Sequence, residues 1–155
     1  MQLSSEHVDG SSSSSRLEIV VDGMNVAMSN IPSYENDGQR RRQYALSALE
    51  MCLNYFVRLG VSVKVIAPMG FVDAHRPEIE IFERAGLLFV SPGGLDDNFL
   101  LQQADANGAF IVSNDRFTDH IRDRGYDPDW IEYHRVPFMF NPDFSPEPDA
   151  LVRMQ

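Results

Sequence analysis

Two short segments hold the residues best suited to chemistry. Val20-Val21-Asp22-Gly23-Met24-Asn25 sets an acid and an amide directly after an apolar run. Ile111-Val112-Ser113-Asn114-Asp115 repeats that arrangement far along the chain, with Asp119 one helical turn further on. Asp96 and Asp97 form a third acidic point. Carboxylates that share a crevice repel one another unless protons or a cation compensate. A hard divalent ion with oxygen ligands is the natural counter-charge, and Mg²⁺ typically uses one or two carboxylates completed by waters and substrate phosphate. Such a centre activates water and neutralises charge on a phosphodiester undergoing in-line displacement. Each acid also has an ordinary reading. Asp-Gly after a strand is a common turn, and Asp96, Asp97 and Asp115 are well placed as helix caps. The weight of the argument lies in the set arriving together.

The elements around these acids bring them to one place. Continuous apolar runs over residues 17–21, 61–67, 87–90 and 109–112 predict buried strands. They are unbroken rather than alternating, as expected when helices cover both faces of a parallel sheet. Between them, residues 39–59 predict a helix with Leu46, Leu49, Cys52, Phe56 and Leu59 on one stripe and Gly60 as its stop. Further helices are expected over 77–85, opened by Pro77, and over 97–107, capped by Asp96 and ended by Gly108. A shorter one starts near Arg116 and finishes before Gly125. Residues 136–140 suggest a fifth strand, and the proline-rich tail from 141 reads as irregular. The alternation predicts an α/β fold: a doubly wound, mainly parallel sheet of about five strands with helices on both faces. Sites in such sheets form beyond the carboxyl ends of the strands. Asp22, Asp96, Asp97, Asp115 and Asp119 all fall at that edge. If the first and fourth strands are neighbours, Asp22 and Asp115 converge.

Length and composition set the frame. A chain of 155 residues with 43% hydrophobic content suits one compact domain, expected over residues 16–155. Residues 1–15, with five consecutive serines, read as a flexible leader. The lone Cys52 cannot pair within the chain, which suits a reducing compartment, the cytoplasm or alternatively the nucleus. No apolar run approaches the roughly 20 residues of a membrane helix, so no membrane partner is expected. The net charge of −10 argues against a broadly basic nucleic-acid surface. A cation held by the clustered acids would invert the sign locally.

The motifs themselves resemble a family. The run from Val20 to Ser29 is similar to the opening strand and loop of Regnase-type (MCPIP-like) NYN ribonuclease domains of the PIN-like superfamily. Asp96-Asp97-Asn98-Phe99 resembles that family's paired aspartates, and the run from Phe110 to Asp119 its Ser-Asn-Asp motif. His75-Arg76-Pro77 and residues 136–144 look similar to its linking segments, so the likeness spans roughly residues 16–144 in order. The resemblance implies an endoribonuclease that cleaves single-stranded or loop RNA by metal-activated water, in mRNA decay or RNA silencing. It implies Mg²⁺, with Mn²⁺ the alternative ion, held by Asp22, Asp97 and Asp115 as catalytic acids, with Asp96 and Asp119 in support. Asn25, Ser113 and Asn114 then fall where the family contacts substrate. The likeness also allows a homodimer and a separate RNA-targeting protein partner. Two departures stand out. The family's basic stretch before the aspartate pair is here the uncharged Ser91-Pro92-Gly93-Gly94-Leu95, and one Cys cannot build the zinc finger that often follows.

Arg40-Arg41-Arg42 is the only concentrated basic run, either guiding phosphate or forming a solvated helix face. Arg116 could meet phosphate or pair with Asp119. The four histidines are too scattered for an imidazole acid–base mechanism, and only His75 stands in a loop that could touch substrate. Cys52 reads as core. Tyr34 has a better claim than Phe71 or Trp130 to stack on bases, packing being the default for Trp130. Two rival enzymes fail on detail. Haloacid-dehalogenase chemistry wants a second Asp where Met24 stands, and a receiver domain wants a late Lys, whereas the only lysine is Lys64 in the second strand. The rival from another class is a catalytically weak NYN-like domain serving as an RNA- or protein-binding or oligomerisation module.

Overall fold

A computed structural model of the chain describes residues 17–92 and 96–155, with the backbone alone at Asp96. The expected leader over 1–15, most of the uncharged stretch 91–95 and the Asp96 side chain lie outside the described residues.

Five parallel strands form the central sheet: β1 (Glu18–Asp22), β2 (Ser62–Pro68), β3 (Leu88–Ser91), β4 (Phe110–Val112) and β5 (Arg135–Val136), in the order β3-β2-β1-β4-β5. The apolar runs are continuous because both faces are covered. Ile19 and Val21 of β1 join a core with Ala45, Leu49, Cys52 and Phe56 from α2 (Gly38–Arg58). Val20 points the other way, into a second core with Leu100, Leu101 and Ala104 of α5 (Asp96–Asn107). Strand order reverses beside β1, where Val21 pairs with Val20's neighbour strand β4 at Val112. The first and fourth strands are therefore adjacent, and a crevice opens where their chains part to opposite sides.

Several local expectations are corrected. The run 136–140 is not one strand: Val136 closes the sheet, Pro137 has no amide to continue it, and β6 (Phe138–Phe140) turns away. It forms an antiparallel hairpin with β7 (Phe144–Pro146). The tail is thus ordered, and it ends in α8 (Pro148–Arg153), opened by its proline. The helix expected over 77–85 shrinks to α4 (Glu80–Arg84), with Pro77 in the preceding turn. Three short helices went unread: α1 (Gly23–Ser29), α3 (Met69–Ala74) and α7 (Pro128–His134). Their six or seven residues are too few to show an apolar period. The remaining helix, α6 (Thr118–Arg124), starts after Arg116 because residues 113–117 form a turn that holds Phe117 at φ 56°. Among the described residues no helix is long and apolar enough to cross a membrane.

Candidate active site

At the switch point β1 ends on Asp22, and β4 delivers Ser113, Asn114 and Asp115 beside it. Ser113 Oγ donates to Asp22 Oδ2 at 2.8 Å and accepts the Asp115 backbone N–H at 3.0 Å. This serine is fully buried. Asp115 Oδ1 in turn accepts the Phe117 N–H at 2.8 Å, an Asx turn that fixes its carboxylate. The left-handed backbone at Phe117 costs on the order of 1–2 kcal/mol. Burial of its ring in the second core offsets that cost.

Helix α1 supplies the other wall. A Cβ on Gly23 would lie 2.8 Å from Val65 Cγ1 and 3.0 Å from the Ile66 carbonyl, so only glycine lets α1 rest on β2. That seat places Asn25, whose Oδ1 accepts the Asn114 N–H at 2.9 Å. Asn114 is committed at both ends of its amide, donating to Phe138 O at 3.1 Å and accepting the Phe138 N–H at 2.9 Å. It thus ties the β6–β7 hairpin to the site, whereas the Asn25 N–H₂ group keeps no partner among the described residues.

The charges at this edge are coupled. Burial raises the Asp22 pKa from 3.8 to about 7. The Ser113 hydroxyl and the Asn25 backbone N–H pull it down, and the Asp97 and Asp115 charges push it up. Asp22 as a residue is half-buried, although protein atoms surround its carboxyl closely. Asp97, in the first turn of α5, is thus near enough for its charge to act on Asp22, as does that of Asp115. Asp119 is not among the charges acting on Asp22; it is exposed and paired with Arg122 at 3.0 Å.

The basic residues divide. Arg42 is a staple, donating to the carbonyls of Ala74 and Arg76 and pairing with Glu78 at 2.6 Å. Arg41 donates to the Glu35 carbonyl, and exposed Arg40 stands 4.0 Å from Asp37. Arg116 is exposed and, among the described residues, makes no ion pair, with Asp119 or otherwise. Sequence reasoning missed Arg135, whose Nη1 donates to the Ser113 carbonyl at 3.3 Å. Burial, then the neighbouring Arg116 charge, lowers its pKa, so two guanidinium groups stand on the Asp115 side of the site. A lone arginine in a short strand gave no signal for this. His75 is buried, with Nδ1 on the Phe71 carbonyl at 2.8 Å, and Phe71 is core; neither faces substrate. Cys52 is fully buried, and burial pushes its thiol pKa up.

The donor chemistry fits a hard divalent cation. The Asp97 and Asp115 charges both act unfavourably on the Asp22 carboxylate, and such a cation beside them would relieve that repulsion. Among the described residues no group of three or more His, Cys, Asp or Glu side chains is gathered closely enough to hold a metal ion by itself.

The sequence profile of the Zc3h12a-like ribonuclease NYN domain matches residues 15–154. The chain belongs to this family. The NYN fold is shared with two solved structures of the nuclear proteinaceous (protein-only) RNase P 2, PRORP2, from Arabidopsis thaliana. One is 24% identical with a TM-score of 0.66 over 85% of this chain. The other is 23% identical with a TM-score of 0.67 over 86%. The NYN domain spans about 30% of the length of each. No curated protein sequence matches it.

Proposed function

We propose that this NYN domain is a Mg²⁺-dependent endoribonuclease acting on single-stranded or loop RNA, in mRNA decay or RNA silencing. The carrying observation is that the buried Ser113 ties half-buried Asp22 to the Asp115 backbone at the switch point, with the Asp97 charge acting on Asp22, on a chain of the ribonuclease NYN family. In this reading Asp22, Asp97 and Asp115 are the catalytic acids with Asp96 in outer support, while Asp119, paired with Arg122, has no direct part. A bound divalent ion would supply charge neutralisation at the phosphate and lower the pKa of a water. The chain's own residues do the rest. Ser113 holds Asp22 and the Asp115 backbone in fixed relation. The Asn25 N–H₂ group donates to a phosphate oxygen, while Arg116 and Arg135 steer phosphate to the acidic edge. Arg40 and Arg41 contribute at most to long-range attraction.

The test is cleavage of a labelled single-stranded RNA with Mg²⁺ by wild type, Asp22→Asn and Asp97→Asn. Cleavage by wild type alone, stopped by EDTA, supports the assignment. An inert wild type, or an Asp97→Asn variant as fast as wild type, sinks it. A second reading, a catalytically weak module that binds RNA or a protein partner, is favoured by the commitment of Arg42 to structural bonds; RNA retention without cleavage would support it.

A further inference from the structure

A cavity of about 570 Å³ opens beside the second core, between α5 and the junction of α6 with α7. One wall is Asn98, Gln102 and Asp105, at positions i, i+4 and i+7 on a single stripe of α5 that begins one residue past Asp97. The facing wall carries Arg124, Tyr126 and Trp130. Trp130 is held as a platform: His134 stacks on it at 4.5 Å between ring centroids, and Tyr126 leans towards it at 6.5 Å. Among the described residues the side-chain amides of Asn98 and Gln102 make no hydrogen bond, and Arg124 makes no ion pair. Asp105 is exposed at the opening. Asp127, which completes the lining, is instead used as the α7 cap, accepting the Asp129 N–H at 3.0 Å.

An aromatic face, a cation, two amides and an acceptor carboxylate in one cavity match the flat face and polar edge of a nucleobase. The carboxylate narrows the choice. Guanine alone among the four RNA bases offers two adjacent N–H donors, N1–H and N2–H, to a single carboxylate, and its O6 accepts from an amide beside them. Phosphate alone is disfavoured by the same Asp105.

We propose that this cavity binds an unpaired guanine, stacked against Trp130 and Tyr126 with its N–H edge on Asp105 and its O6 on Gln102 or Asn98. Arg124 then meets the adjoining phosphate. The proposal deepens, and for its RNA context rests on, the ribonuclease reading: the base belongs to the strand whose phosphodiester lies at the Asp97 edge.

Trp130 is the only tryptophan of the chain, so its emission reports this cavity directly and without turnover. The full chain is titrated in EDTA with GMP, AMP, UMP and inorganic phosphate, as wild type, Asp105→Asn and Gln102→Ala. The expected result is saturable quenching by GMP, at least tenfold weaker binding of AMP and UMP, and at least a tenfold loss for GMP in Asp105→Asn. Equal responses to GMP and AMP, quenching by phosphate alone, or unchanged GMP binding in both variants overturns the proposal. RNA cleavage measured in parallel separates the two readings. GMP-selective quenching without cleavage leaves the guanine site standing and removes the ribonuclease reading, whereas cleavage without GMP-selective quenching removes the guanine site alone.

Discussion

Replacing Asp22 with Asn tests the electrostatics of the site through stability rather than turnover. In the folded chain burial is the main cause that lifts this carboxyl from 3.8 to about 7, while the unfolded chain titrates it near the ordinary value. Between those two pH values the folded state holds a proton that the unfolded state has lost, so stability falls as pH rises through the window. Below 3.8 both states are neutral and there is no penalty; above about 7 both are charged and the penalty is complete. At about 1.4 kcal/mol per tenfold change in proton affinity, the ceiling is about 4 kcal/mol. Asp22 is half-buried rather than fully enclosed, and the screening that follows brings the expected effect to about 2 kcal/mol. Asn keeps an oxygen to accept from Ser113 but carries no charge. Urea denaturation in EDTA should therefore find Asp22→Asn more stable than wild type by about 2 kcal/mol at pH 8, the gain vanishing near pH 4. Mg²⁺ added at pH 8 should stabilise wild type more than the variant. A difference constant across pH, or a variant less stable at pH 8, would refute the reasoning.

Other perturbations probe the scaffold and the phosphate side. Gly23→Ala forces a methyl against Val65 and the Ile66 carbonyl and should cost about 1–3 kcal/mol in thermal or urea unfolding. A neutral outcome would mean that α1 has room to shift. Asn114→Ala removes two hydrogen bonds to Phe138 and should cost about 1–3 kcal/mol, with faster amide exchange at residues 138–146 than elsewhere. Uniform loss of protection would deny the hairpin its separate anchor. Arg116→Ala should raise KM for RNA and lower the salt dependence of binding by about one counterion, with kcat nearly unchanged. Cys52 should stay unreactive to thiol reagents until the chain unfolds, and fast labelling of the native protein would contradict its burial.

The sheet was legible because its evidence is compositional: continuous runs such as Val20-Val21 and Ile111-Val112 have nowhere to go but between two layers of helix. The placing of Asp22 beside Asp115 followed from topology alone, once strand one was expected at the switch point. What escaped was short or non-local. Helix α1 has seven residues, and its decisive feature is the empty space at Gly23, which only the packing of β2 reveals. The Asn25–Asn114–Phe138 chain links residues far apart in sequence, so no spacing announces it. Arg40, Arg41 and Arg42 look alike in a string of letters, yet only Arg42 is drawn into the turn after α3. Helix α7 was readable in principle, since Asp127-Pro128-Asp129 carries both a cap and a first-turn proline.

The buried serine gives the site a sense of direction. Ser113 spends its single hydrogen on Asp22 Oδ2 and a lone pair on the Asp115 amide. Asp22 and the Asp115 backbone thus hang on one oxygen atom, so loss of the Ser113 hydroxyl would loosen two of the site's acids at once.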